Sequence, residues 1–112
     1  MKKILITGSS GYIGSCLYKY LKRKKFEVIG IDKKKSKIKN IKFKQFDLLN
    51  SNELYKFFNN EKNIDIIVHL AGESTIDNIH KKNNYVTNNI NVTKNILNVA
   101  KKFNINKIIF SS

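Results

Sequence analysis

The stretch Thr7-Gly8-Ser9-Ser10-Gly11-Tyr12-Ile13-Gly14 follows the apolar run Ile4-Leu5-Ile6 and precedes a helical pattern. Three of the five glycines in the chain fall here, each three residues after the last. A chain that leaves a buried strand and turns sharply into a helix needs residues that tolerate unusual backbone angles. Glycine also lets a diphosphate approach the backbone, where the helix N-terminus offers unpaired N–H donors and a partial positive charge. The spacing is the G-x-x-G-x-x-G variant of the dinucleotide-binding motif.

Strand and helix patterns alternate along the rest of the chain. Apolar runs predict strands at 2–7, 26–31, 41–46, 64–70 and 107–110. The run at 64–70 is typical of a central strand buried on both faces. Helices are predicted over 12–25, from about residue 51, and over about 83–103. This order predicts an α/β fold over 1–112, a Rossmann-type doubly wound parallel sheet that is truncated after the fifth strand.

The apolar positions of each helix predict the face that it buries. For the first helix these positions are Ile13, Leu17, Tyr20 and Leu21. For the second they are Leu54, Phe57 and Phe58. For the third they are Val86, Ile90, Thr93, Leu97, Ala100 and Phe103.

The composition is that of one globular domain without an internal disulfide. A chain of 112 residues with 41% hydrophobic residues can build a core, and its single cysteine, Cys16, has no partner for a disulfide. With no Cys/His cluster, we expect no structural metal. No apolar stretch approaches the length of a membrane span, and a strand follows the first two lysines, so we expect neither a membrane partner nor a secretory signal. These features favour a cytoplasmic protein.

The charge is strongly positive. Twenty-two basic residues against eight acidic ones give +14, which raises the hypothesis of a basic nucleic-acid-binding protein. However, the lysines are spread along the whole chain, and Arg23 is the one arginine. Nucleic-acid readers usually rely on the bidentate arginine fork. Abundant Lys, Asn and Ile are also the product of A/T-rich codons, so we consider a nucleic-acid partner unlikely.

An acid closes the second predicted strand. Asp32 lies about 24 positions after Gly8, close to the roughly 20-residue offset of the acid that binds a ribose 2′-hydroxyl. A carboxylate there accepts hydrogen bonds from the ribose and repels a 2′-phosphate, which favours NAD over NADP. The three lysines that follow, Lys33 to Lys35, argue in the opposite direction.

Taken together, these motifs resemble the NAD-dependent epimerase/dehydratase family, the extended short-chain dehydrogenases/reductases. Residues 7–15 are nearly the opening signature of that family, including its Tyr-Ile pair. Four further stretches match in the expected order: Asp47-Leu48, His69-Leu70-Ala71-Gly72, the helix 89–97, and Phe110-Ser111-Ser112. The resemblance covers essentially the whole chain.

The resemblance implies NAD as the cofactor and assigns a role to each part of the site. For the pyrophosphate it implies Gly8, Gly11, Tyr12, Ile13 and Gly14. For the adenosine it implies Asp32 at the ribose and Asp47 with Leu48 at the adenine. For the nicotinamide end it implies Leu70, Ala71, Gly72 and Asn89. A nucleotide sugar is implied as the substrate of a full-length form, and a homo-oligomer is left open.

The chain departs from the family pattern at several positions. Val92 replaces a usual glycine, and Ser74 stands where some epimerases carry a lysine. The catalytic Ser or Thr would come at position 113, and the family's Tyr-x-x-x-Lys pair would lie further on. Tyr18 and Lys22 have this spacing but fall in the first helix. In that family the tyrosine takes the proton of the sugar hydroxyl. No usable pair of this kind is present here, so we predict that this chain has no catalytic residues and is inactive on sugars.

Other side chains with reactive groups receive structural interpretations. We expect His69 to be structural, Cys16 to pack, and His80, Glu73 and Asp77 to lie in a solvated loop. A non-catalytic NAD-binding sensor, or a partner module completed by another chain, remains the alternative to a truncated enzyme. In either case we expect a marginal domain with an exposed fifth strand that NAD stabilises.

Overall fold

The structure, a computed structural model, describes residues 1–71 and 82–111, and the side chains of these residues except 82–86. Each strand and helix predicted from the sequence is confirmed, although the third and fourth strands are shorter than the predicted 41–46 and 64–70. The elements of the described chain are β1 (Lys3–Thr7), α1 (Tyr12–Arg23), β2 (Glu27–Asp32), β3 (Phe43–Gln45), α2 (Ser51–Asn60), β4 (Ile66–His69), α3 (Lys82–Lys102) and β5 (Lys107–Phe110).

The strands form one parallel sheet in the order β3-β2-β1-β4-β5. β1 pairs with β2 on one side and with β4 on the other, with Thr7 level with Ile31 and His69. The chain runs outward from β1 to β3 and then returns across the sheet to β4. The strand order therefore reverses between β1 and β4, and this switch point is where open α/β sheets bind ligands. The predicted doubly wound α/β fold is confirmed.

One face of the sheet is covered by α1, whose two buried residues are Gly14 and Tyr18. The predicted face is wrong in part, because Ile13 is 64% exposed and Tyr20 is 49% exposed. Gly14 lies directly against the backbone of Gly8, and this contact rotates the helix so that positions 14 and 18, four residues apart, face the strands. Two of the predicted residues, Leu17 and Leu21, do pack against this face of the sheet. The expected packing of Cys16 is wrong, because Cys16 is exposed to solvent.

The other face is covered by α2 and α3. The buried face of α2 is the predicted one. That of α3 is predicted in part: Ala100 is buried and Phe103 packs against the core, but Ile90 and Leu97 are about half exposed. The side chain of Val86 lies outside the described ones. The helix carries two overlapping apolar stripes at the same spacing, and periodicity alone does not determine which of them meets the sheet. The stripe that is buried consists of Val92, Ile96, Val99 and Ala100.

The fifth strand lies at one edge of the sheet, as predicted. Ile109 and Phe110 each expose nearly half of their surface. No helix in the described part of the chain is both long and apolar enough to cross a bilayer.

Candidate functional site

An open cavity of about 540 Å³ lies at the switch point, above the carboxyl ends of β1, β2 and β4. Each wall of the cavity comes from a different segment of the chain. The lining residues are Gly8, Ser10 and Gly11 of the glycine turn, Asp32, Lys33, Lys34, Lys35 and Lys37 after β2, Phe46, Asp47, Leu48 and Leu49 after β3, Leu70 and Ala71 after β4, and Asn88, Asn89 and Val92 of α3.

Gly8 and Gly14 form the inner side of the glycine turn. Gly8 has a φ of +79°, a conformation that side chains rarely adopt. A Cβ on Gly8 would also lie 2.8 Å from the backbone nitrogen of Ala71, and one on Gly14 would overlap the carbonyl oxygen of Gly8. The Gly8 amide donates to the carbonyl of Ile31 over 2.8 Å, which fixes the turn against β2. These two glycines are therefore required by the fold itself.

Gly11 occupies the outer side of the same turn and has no such requirement. Its backbone is extended, with φ −75° and ψ 173°, a conformation open to any residue. A Cβ on Gly11 would meet the Gly8 oxygen at 3.5 Å, an ordinary contact. Gly11 is nevertheless the residue that precedes α1 and lines the cavity. The absent side chain leaves space for a group outside the protein.

The first turn of α1 begins beside this space. Its leading amides have no acceptor inside the helix, and Gly11 has no side chain with which to cap them. The side chains of Tyr12 and Ile13 do not line the cavity, and Tyr12 is 86% exposed. These two predicted residues can therefore contact a group in the cavity through their backbone N–H groups and not through their side chains. Such a set of amides, together with the helix dipole, favours an anion.

Asp32 links the glycine turn to the end of β2. One carboxylate oxygen accepts from the Ser10 amide over 3.0 Å, and the other accepts from the Lys34 amide over 2.9 Å. The two hydrogen bonds hold the carboxylate at the cavity wall in a fixed orientation. A carboxylate has about four acceptor positions, so Asp32 can also accept from the hydroxyls of a ligand.

Asp47 and Leu48 lie in the turn between β3 and α2. The Asp47 carboxylate accepts from the amide of Leu49 over 2.9 Å, which stabilises the turn. Leu48 is 5% exposed and belongs to the core beneath the cavity. Its carbonyl accepts from the side-chain amide of Asn95 on α3 over 2.8 Å. Asn95 thereby holds this turn in position against α3, a role that the sequence analysis missed.

A buried hydrogen bond joins the ends of β1 and β4. The Thr7 hydroxyl and Nδ1 of His69 are 2.6 Å apart, and the Ala71 amide donates to the same hydroxyl over 3.3 Å. The ring of Phe110 packs edge-on against the imidazole, with ring centroids 5.7 Å apart. Burial lowers the pKa of His69 below its ordinary value, so the ring is neutral at pH 7. The pair positions the backbone of Leu70 and Ala71 at the cavity.

The predicted residues at the nicotinamide end are only partly within the described chain. Leu70, Ala71 and Asn89 line the cavity. Gly72 lies outside the described residues, as do the loop residues Glu73, Ser74, Asp77 and His80.

Several lining residues escaped the sequence analysis. Asn88 and Val92 lie on the same face of α3 as the predicted Asn89, so helical spacing was the signal for them. Val92, where the resemblance leads us to expect glycine, is 9% exposed and packs into the core. Other lining residues that were not predicted as cofactor-binding are Ser10, Lys33, Lys34, Lys35, Lys37, Phe46 and Leu49.

Tyr18 does not have the environment of a catalytic tyrosine. It is 3% exposed on the α1 face of the sheet, and its hydroxyl accepts from the amide of Lys42 over 2.9 Å. It is not among the residues that line the cavity. The Tyr18–Lys22 spacing is therefore structural.

Comparison with known sequences identifies similar proteins. The model of the NAD dependent epimerase/dehydratase family matches residues 4–112. The chain is 33% identical to UDP-glucose 4-epimerase of Schizosaccharomyces pombe, over 97% of this chain and 34% of that protein. It is 37% identical to dTDP-D-glucose 4,6-dehydratase of Dictyostelium discoideum, over 100% of this chain and 29% of that protein. The chain thus spans about a third of the length of the curated relatives that it matches.

Solved structures with the same fold belong to similar proteins. A crystal structure of UDP-glucose 4-epimerase superposes with a TM-score of 0.89 at 32% identity, covering 99% of this chain and 35% of that one. UDP-glucose 4-epimerase from Bifidobacterium longum, in complex with NAD+ and UDP, gives a TM-score of 0.88 at 30% identity, covering 99% of this chain and 37% of that one.

Proposed function

Because the chain belongs to the NAD-dependent epimerase/dehydratase family over residues 4–112, we propose that it binds NAD as the cofactor part of a nucleotide-sugar epimerase or dehydratase. Its similarity to a UDP-glucose 4-epimerase and a dTDP-D-glucose 4,6-dehydratase supports this substrate class. For the whole protein, the proposed reaction is oxidation at a sugar carbon, followed by return of the hydride or by elimination.

The observation that carries the proposal is the free space at Gly11. The fold requires glycine at positions 8 and 14, but neither backbone angles nor packing require it at position 11. The space lies at the start of α1, beside amides that favour an anion. The amides there would suit the charge of a pyrophosphate. Gly8, Gly11 and the first amides of α1 would hold it.

The remaining walls of the cavity suit the two ends of the dinucleotide. Asp32 would accept hydrogen bonds from the adenosine ribose, and Asp47 with Leu48 would border the adenine. At the other end, Ala71 and Asn89 would border the nicotinamide half, with the predicted Leu70 and Gly72 beside them. When bound, NAD supplies the hydride acceptor.

We propose that this chain binds the cofactor without converting the sugar. The reaction needs a tyrosine that accepts the proton of the sugar hydroxyl while the hydride is transferred. Tyr18, which has the right spacing to Lys22, is buried between α1 and the sheet, outside the cavity lining, and its hydroxyl is already hydrogen-bonded.

Calorimetric titration of the chain with NAD tests the proposal. We expect the unaltered chain to bind and the Gly11→Val variant to lose at least about tenfold in affinity, because a displaced pyrophosphate forfeits charge-assisted hydrogen bonds worth about 1.5–3 kcal/mol each. Valine suits the extended backbone at this position, so the melting temperature without NAD should remain close to that of the unaltered chain.

The control is Cys16→Val, which places the same side chain at an exposed position of α1, outside the cavity. It should bind NAD as the unaltered chain does. Absence of NAD binding by the unaltered chain, or undiminished binding by Gly11→Val, would contradict the proposal.

A further inference from the structure

Gly30 lies in the interior of the buried strand β2, where glycine is unusual unless another part of the chain approaches closely. Val28, two residues earlier, packs on the α1 side of the sheet, and Gly30 therefore has the same side. A Cβ at position 30 would overlap the Cβ and Oγ of Ser9, whereas the ring of Phe43 would be at an ordinary 3.6 Å. Ser9 thus occupies the space that a side chain at position 30 would need.

The side chain of Ser9 makes no hydrogen bond in return for its burial. Ser9 is 0% exposed, and its hydroxyl is the one buried polar side-chain atom in the described part of the chain that has no hydrogen-bond partner. A buried hydroxyl without a partner loses its bonds to water and gains none. What the side chain supplies at this position is therefore volume rather than a hydrogen bond.

Ser9 also supports the first turn of α1. Its carbonyl accepts from the Ser15 hydroxyl over 3.1 Å, and a Cβ on Gly14 would lie 2.9 Å from the Cα of Ser9. The next residue, Ser10, donates its amide to the Asp32 carboxylate at the end of β2 over 3.0 Å. The volume between Ser9 and β2 therefore determines how far the start of α1 lies from Asp32.

We propose that Ser9 is a positioning residue, which fills the gap at Gly30 and thereby sets the distance between the first amides of α1 and the Asp32 carboxylate. The inference rests on the proposed function, which assigns the pyrophosphate to these amides and the adenosine ribose to Asp32. A ligand that spans both groups binds well only when their separation matches its own length, because hydrogen bonds weaken steeply when they are misaligned. A ligand that contacts the amides alone does not depend on this separation.

Two anions separate positioning from a general loss of structure. Adenosine 5′-diphosphate (ADP) spans the amides and Asp32, whereas inorganic pyrophosphate needs the amides alone. Both are titrated calorimetrically, below the melting temperature of each variant and at about 0.15 M salt, where the field of the +14 chain is largely screened.

The first variant, Ser9→Gly, empties the gap. We expect an affinity for ADP about tenfold weaker, the equivalent of one lost hydrogen bond, and an affinity for pyrophosphate changed by less than about threefold. Ser9→Ala keeps the Cβ that fills most of the gap and should therefore retain the affinity for ADP. The control Ser51→Gly makes the same substitution at an exposed position at the start of α2, outside the cavity, and should leave both affinities unchanged.

The sharpest test moves the filling group from the turn to the strand. Gly30→Ala alone overlaps Ser9, so it should displace the turn and weaken ADP binding as Ser9→Gly does. The double variant Ser9→Gly, Gly30→Ala fills the same space from the opposite side. The two changes should compensate, with an affinity for ADP within about threefold of that of the unaltered chain.

The outcomes separate this inference from the proposed function. If the unaltered chain binds neither NAD nor ADP, the proposed function is wrong. If it binds both, but Ser9→Gly keeps its affinity for ADP or loses ADP and pyrophosphate equally, only the role of Ser9 is wrong. Equal losses in Ser9→Ala and Ser9→Gly would also overturn that role. So would a double variant that does not fold, or that folds without recovering the affinity for ADP.

Discussion

The inner and outer sides of the glycine turn use the same residue type for different reasons. On the inner side, Gly8 and Gly14 touch each other and the end of β4 so closely that a Cβ would overlap backbone atoms. On the outer side, Gly11 has an ordinary backbone conformation and faces open space. The difference teaches that the fold requires only two of the three glycines in the motif, and that the third is the one left for the proposed ligand.

The strongest test of this comparison makes one substitution on each side. Gly14→Ala should lower the free energy of unfolding by at least about 2 kcal/mol, even though alanine gains about 1 kcal/mol in helix propensity, because the new Cβ overlaps the Gly8 carbonyl. Gly11→Ala, the matched control, should change it by less than about 1 kcal/mol. Urea denaturation followed by circular dichroism measures both. A Gly14→Ala chain as stable as Gly11→Ala would remove the distinction.

A second test asks whether a contact that stabilises the fold also affects binding at the turn that we propose borders the adenine. Asn95→Asp keeps the shape of the side chain but replaces the amide donor that faces the Leu48 carbonyl with an acceptor. We expect a loss of about 1–2 kcal/mol in stability and a weaker affinity for adenosine 5′-phosphate. The affinity for nicotinamide mononucleotide should change less. Equal losses for the two half-ligands would show that Asn95 acts on the fold alone.

The smallest change in stability is expected from the titration of His69. Its hydrogen bond to Thr7 connects it to the residue before Gly8, on the inner side of the turn. Burial holds its pKa below the ordinary 6.5, so the unfolded chain binds this proton more readily than the folded one. The contribution of His69 to the free energy of unfolding is therefore fully present above about pH 6.5, and it is lost as the pH falls toward the pKa of the folded state. The melting temperature between pH 7.5 and 5 measures this decline.

The His69→Asn variant is the control, since its side-chain oxygen can replace Nδ1 as the partner of the Thr7 hydroxyl. The decline that remains in this variant belongs to other groups, and the difference between the two profiles belongs to His69. Parallel profiles would contradict the prediction.

The sequence was sufficient for the fold because each element carries a strong local signal. Apolar runs that alternate with helical patterns predicted the strands, and the glycine turn predicted the start of the first crossover. The buried faces of α1 and α3 were less well predicted. α3 has two stripes with helical spacing, and the sheet contacts Val92 and Ile96 rather than Ile90 and Leu97.

Residues of the candidate site could be predicted only where they follow a known spacing pattern. Asp32 and the glycines belong to a spacing pattern, whereas Asn95 acts through a hydrogen bond to a residue 47 positions away. Such a contact depends on how α3 crosses the sheet, which no local pattern contains. The lysines after β2 were visible in the sequence, but their place at the cavity followed from the path of the loop.

The helix α3 touches both halves of the cavity. Asn88 and Asn89 line it near one end, and Asn95 carries the turn that borders the other. Asn95 lies seven positions after Asn88 in the α-helix. This spacing corresponds to a rise of roughly 10 Å, which side-chain motion cannot alter. The distance between the turn that follows β3 and the opposite wall of the cavity is therefore set by the length of helix between them. A dinucleotide analogue with a longer or shorter bridge should be rejected on length, whatever bases it carries.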